Sequence, residues 1–148
     1  MSPLNNQVLS SVLTLEIRLH ACVARLRAHT DDEALHDLRI ALRTLRSILR
    51  PLRGSEVAVG LEQAAAVIGR LSGPIRDAQV LLAELQRLGQ RHGLTARFAA
   101  VQQGIEQLLV SAELAALFTQ LAGFANGWRF AIRMGELSKL RSRVAKGL

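Results

Sequence analysis

Tyrosine is missing from the 148 residues and aromatic side chains make up only 3% of them, so a surface that stacks bases on exposed rings has little to be built from. The single cysteine, Cys22, excludes an internal disulfide, and no Cys/His set has zinc-finger spacing. Proline is confined to Pro3, Pro51 and Pro74, and strand-like alternation of apolar and polar residues is absent. No apolar run approaches the roughly 18 residues that span a bilayer, and the opening MSPLNNQ lacks the basic stretch of a secretory leader. The chain therefore reads as soluble and cytoplasmic, with no membrane partner. Glycine-rich phosphate loops ending in Lys-Ser/Thr, H-E-x-x-H pairs and G-x-S-x-G elbows are also absent. The carboxylates are few and scattered, so the expectation is a protein that is not an enzyme and has no cofactor and no metal.

Leucine and alanine are what the chain has in abundance. Hydrophobic residues make up 49%, enough for one packed core, and no low-complexity segment or long linker divides residues 1–148 into more than a single domain. Their three- and four-residue spacing predicts an all-α fold, an antiparallel helical bundle of about six helices. The first helix is expected from about Asn5 or Asn6 to His29, with Leu9, Val12, Leu13, Leu19, Val23 and Leu26 inward. Thr30 and Glu33 then form a capping box for a second helix that reaches Arg50. Pro51 and Gly54 break it, and Ser55 caps a third helix ending at Leu71. Ser72, Gly73 and Pro74 make a turn into a fourth, which ends near Gly93 and carries Asp77 in its first turn. A fifth runs from Thr95 to about Ala122, and Gly123, Asn126 and Gly127 separate it from a last basic helix. Phe98, Phe118, Phe124, Trp128 and Phe130 are assigned to the core.

Positive charge is in excess, 19 Lys and Arg against 12 acids, and it is concentrated: residues 36–53 carry +4 and residues 129–148 carry +5 of a net +7. A clustered positive face attracts polyanions. In HDLRIALRTLRSILRPLR, at about 100° per residue, His36, Arg39, Arg43, Arg46, Arg50 and Arg53 fall in one stripe of the second helix. Leu38, Leu42, Leu45, Leu49 and Leu52 occupy the neighbouring face. The ordinary use of such arginines is a solvated charged surface, but solvated faces alternate in sign and this one does not. Its like-charge neighbours at three- and four-residue spacing cost on the order of 1–2 kcal/mol, which a bound polyanion would relieve. The planar guanidinium fork also matches phosphate oxygens and stays charged at working pH.

Three other helices add candidates. Arg18, Cys22, Arg25 and His29 share a face of the first helix, and Arg76, Arg87 and Arg91 a face of the fourth. Arg129, Arg133, Lys139, Arg143 and Lys146 would form a second basic wall on the last. His36 has two further readings, as a phosphoryl acceptor in a histidine phosphotransfer bundle or as a general acid/base, but no orienting carboxylate is assigned to it. A nonspecific nucleic-acid-binding protein using the same basic faces is the remaining alternative.

The basic stretch resembles the first signature of the CHAD family, the conserved-histidine α-helical domains: H-x-x-R-x-x-x-R-x-x-R followed by further basic residues. LSGPIRDAQVLLAEL, residues 71–85, is similar to that family's Arg-Asp stretch, and the resemblance covers residues 5–92 best. It implies a helical bundle that binds inorganic polyphosphate, in some members at polyphosphate granules, with His36, Arg39, Arg43, Arg46 and Arg50 in the ligand-binding positions. Arg53, Arg18, Arg25, Arg76 and Arg87 are the further polyphosphate-binding candidates from the charge pattern. The family's usual unit is internally duplicated, whereas no histidine follows His92 here, and ELSKLRSRVAKGL is a weak echo of the repeat. Half a unit implies a homodimer that buries part of the Val101 to Phe124 stretch, with a mass about twice the 16.1 kDa of one chain.

Overall fold

The computed structural model describes the backbone of residues 1–147 and the side chains of residues 1–135. It is 87% helical, with five α-helices rather than about six: α1 (Pro3–Ala28), α2 (Ala34–Leu49), α3 (Glu56–Arg87), α4 (Leu94–Leu109) and α5 (Ala112–Gly147). A short 3₁₀ turn, Arg50–Leu52, follows α2. Lys139, Arg143 and Lys146 of the expected basic wall lie outside the described side chains.

Two of the predicted breaks disappear, at Ser72–Pro74 and at Gly123–Gly127, and one unpredicted break replaces them. The turn expected at Ser72, Gly73 and Pro74 is the middle of α3, which continues through Pro74. An internal proline removes one backbone hydrogen bond and costs about 3 kcal/mol, but α3 packs against α2, α4 and α5, and this tertiary contact overrides the local penalty. Asp77 is consequently an exposed mid-helix residue, not a first-turn one. The stretch Gly123 to Gly127 is likewise helical, inside α5. The chain breaks instead at Val110 and Ser111, where the Ser111 hydroxyl accepts from the Leu114 amide at 3.1 Å and caps α5.

Three reversals and one bend arrange these helices. α1, α2, α3 and α4 run alternately up and down, but α5 leaves α4 at a bend of 45° and keeps its general direction. The 32 residues of α3 span about 48 Å, and the bent α4–α5 pair matches that length: Gly104 of α4 sits against Ile75, and Gly60 and Val57 of α3 meet Gln120 and Gly127 of α5. The Trp128 indole donates to the Asn5 carbonyl at 3.1 Å, tying α5 to the start of α1. Among the described residues no single helix is long and apolar enough to cross a membrane.

Leu19, Leu35, Leu38, Leu45, Leu61, Ile68 and Leu117 are fully covered and form the centre of the core. Val8, Leu15 and Cys22 join the predicted inward residues of α1, whereas Leu13 is 40% exposed on the opposite side. Burial pushes the Cys22 thiol above its ordinary pKa, so it is an inert core group and not part of a basic face with Arg18, Arg25 and His29. Phe124 and Trp128 are buried and stacked, and Phe118 packs on His20, but Phe98 and Phe130 are 53% and 62% exposed, contrary to their assignment to the core. Val101, Ile105, Leu108, Leu114, Leu117, Leu121 and Phe124 are already buried within one chain. The inward residues of the stretch expected at a dimer interface are therefore used by the chain's own core.

Gly127 tests the claim that packing, not propensity, sets these helix boundaries. A Cβ there would stand 2.8 Å from Val57 Cγ2, while one at Gly123 would meet nothing within 4 Å. Gly127→Ala is expected to destabilise by about 1–2 kcal/mol despite its better helix propensity, and Gly123→Ala to stabilise by about 1 kcal/mol. Urea denaturation of the two variants checks the opposite signs.

Candidate functional site

The stripe on α2 follows from where its leucines go. Ala34, Leu35, Leu38, Ala41, Leu42, Leu45 and Leu49 are buried, which leaves the arginines along the edge that faces α3 and solvent. The two helices run antiparallel, with Arg39 opposite Gly69 and Ser72 and Arg46 opposite Glu62.

Arg39 is half-buried and anchored. Its Nη1 donates to the Gly69 carbonyl and to Ser72 Oγ, both at 2.7 Å, and the fully buried Ser72 hydroxyl donates in turn to the Gly69 carbonyl. The guanidinium lies alongside Gly73, where a Cβ would stand in ordinary contact with Nη1 at 3.5 Å. The other guanidinium nitrogens of Arg39 make no hydrogen bond among the described residues, so one side of the fork is fixed and the other is available.

Next to it lies a cleft of about 390 Å³ lined by Arg39, Arg43 and Arg46 from α2 and by Arg70 from α3, over a floor of Leu42, Ala66 and Gly69. Arg43 and Arg70 are exposed, and their guanidinium groups make no ion pair or hydrogen bond among the described residues. Arg46 is not free: its Nε donates to Glu62 Oε1 at 3.0 Å, and Arg50 Nε is 3.7 Å from the same oxygen. Glu62 thus interrupts a stripe that the α2 sequence alone shows as one-signed. Beyond it, Leu49, Arg50, Arg53, Val59 and Glu62 line a second cleft of about 400 Å³. His36 is half-buried one turn before Arg39 and has no hydrogen-bond partner among the described residues.

The other candidates do not join this surface. Arg25 donates to Asp31 at 2.6 Å and to Asp37 at 2.8 Å, so it fastens α1 to the turn before α2. This replaces the predicted capping box, because Asp31 Oδ1 accepts the Glu33 amide and the Thr30 hydroxyl donates to Asp31. Hydrogen bonds from Arg25 and Thr30 hold the Asp31 carboxyl well below the usual carboxylate range. A lowered carboxylate pKa gives stabilisation that is present at neutral pH and lost as pH falls through the ordinary range towards the depressed value. Arg25→Met is expected to lower the melting temperature at neutral pH and to converge on the wild type at strongly acidic pH, a comparison readable by thermal melts. Arg76 and Arg87 line a separate cleft of about 350 Å³ with Asp32, Glu33, Glu84 and Phe98, where Arg76 donates to Gln79 and Arg87 to Glu84. That cleft has mixed charge. Arg18 is exposed on α1 and lines neither arginine cleft.

Arg70 and Glu62 are the two site residues that the reading of α2 misses. Neither carries a signal in the spacing of α2, because both lie on α3 and reach the stripe only through the packing of the two helices. Among the described residues no group of three His, Cys, Asp or Glu side chains is placed to hold a metal ion.

A family model described as the CHAD domain matches residues 17–143. The chain belongs to the CHAD domain family. The match extends past residue 92, where the sequence resemblance weakens, and includes α4 and most of α5. CHAD domains are associated in general with polyphosphate binding. No curated protein and no solved structure matches the chain.

Proposed function

We propose that this CHAD domain binds inorganic polyphosphate non-enzymatically in the cleft between α2 and α3. The observation that carries the reading is the convergence of Arg39, Arg43, Arg46 and Arg70 on one cleft, with Arg43 and Arg70 unpaired among the described residues. Arg43 and Arg70 offer ten N–H donors between them, in the planar geometry that phosphate oxygens accept. No aromatic side chain lines either arginine cleft, so the surface grips phosphates and provides no platform for bases. Arg50 and Arg53 extend the track, and successive weak contacts along one polymer add through effective concentration. A cytoplasmic location at polyphosphate granules fits this reading; pairing of two chains, about 32 kDa together, rests separately on the half-unit resemblance, and mass measurement in solution tests it.

Titration with long-chain polyphosphate, orthophosphate and single-stranded DNA at two salt concentrations tests the function. Polyphosphate is expected to bind tightest, with affinity falling steeply as salt rises. Equal or tighter DNA binding would make the cleft a general polyanion surface and favour the nucleic-acid reading.

A further inference from the structure

Glu62 occupies the space between the two arginine clefts. Its side chain is only 21% exposed, its Oε1 accepts from Arg46 Nε at 3.0 Å, and Arg50 Nε approaches the same atom to 3.7 Å. On one side lies the cleft of Arg39, Arg43, Arg46 and Arg70, and on the other the cleft of Arg50 and Arg53, which Glu62 itself helps to line. Arg46 is half-buried and Arg50 is 56% exposed at the side chain, so both have room to turn towards a ligand once the carboxylate is displaced.

Resting on the polyphosphate reading, we infer that Glu62 is a displaceable internal counterion that divides the arginine track into two clefts and so lowers the affinity of chains long enough to span both, while leaving short ligands almost unaffected. A single phosphate or a short oligophosphate occupies the first cleft, where Arg43 and Arg70 need no rearrangement. A longer chain reaches Arg50 and Arg53 only by taking Arg46 and Arg50 from Glu62. From Arg39 to Arg53 the track is about 21 Å long at helical rise, so a ligand must span that distance to gain both sets of contacts. Displacement costs the chain one partly covered ion pair and the repulsion between Glu62 and the incoming phosphates. Short ligands bear little of either cost because they stop short of it.

The alternative is that Glu62 positions Arg46 for the ligand, and the two roles predict opposite signs. Glu62→Gln keeps the side-chain shape and an acceptor oxygen for Arg46 but removes the charge. With affinities measured for orthophosphate, tripolyphosphate and long-chain polyphosphate, Glu62→Gln is expected to tighten long-chain binding about fivefold at low salt while changing the two short ligands less than about twofold. The gain should shrink at high salt. Weaker long-chain binding by the variant would overturn the inference in favour of a positioning role. An equal gain for all three ligands would reduce Glu62 to a background charge. Failure of the wild type to bind polyphosphate of any length would remove the function and this inference together, so the wild-type titration separates the two failures. A matching melting temperature for Glu62→Gln shows that the comparison concerns binding, not folding.

Discussion

Combining Arg43→Glu with Arg70→Glu is expected to weaken long-chain polyphosphate binding by at least about a hundredfold and to leave helicity unchanged. Each guanidinium lost removes charge-assisted hydrogen bonds worth about 1.5–3 kcal/mol, and two such losses reach a hundredfold at about 1.4 kcal/mol per decade. The introduced carboxylates add repulsion to that. Both side chains are exposed and unpaired among the described residues, so the fold has nothing to lose from their replacement. The pair is better chosen than any that includes Arg46, because a glutamate at that position would face Glu62 across the α2–α3 contact. Isothermal titration with circular dichroism on the same sample checks both halves of the expectation. Unchanged affinity would take the cleft out of the binding surface.

Arg39→Met is expected to behave differently, losing stability and affinity together. The substitution keeps much of the aliphatic stem but leaves the buried Ser72 hydroxyl without its donor and takes one donor from the Gly69 carbonyl. Leaving buried polar groups short of partners costs about 1–3 kcal/mol, and urea denaturation should show a loss of that size. Polyphosphate affinity should fall about tenfold as well, because the same residue lines the cleft and contributes one of its charges. Measuring both on one variant separates Arg39, which joins α2 to α3 while presenting charge, from Arg43, which only presents charge.

The all-α class and the amphipathic α2 were legible in the sequence because both are periodic properties of a single segment. Leu38, Leu42, Leu45 and Leu49 are buried as their spacing requires, and the arginines beside them line the clefts. Boundaries were less legible where distant packing competes with local preference. Pro74 and Gly127 read as breaks, yet α3 continues through the first because neighbours hold it on several sides, and α5 continues through the second because Gly127 lets it approach Val57. Ser111 carried a usable capping signal inside an apolar run that masked it. Partners across helices were not legible at all: nothing in the spacing of residues 36–53 shows that Glu62 comes to Arg46, that Arg70 completes the cleft, or that Asp31 and Asp37 take Arg25 away from it.

The cationic side chains of both clefts are all arginines, and the chain's only side-chain amines are Lys139 and Lys146 late in α5. Amine-directed chemistry therefore passes the clefts by. Lysine acetylation, which silences many basic surfaces by removing charge, has no target there. Reagents that react with lysine leave the guanidinium groups of both clefts unmodified, whereas reagents that modify guanidinium groups should abolish binding, and prior occupancy of the cleft should protect against that loss.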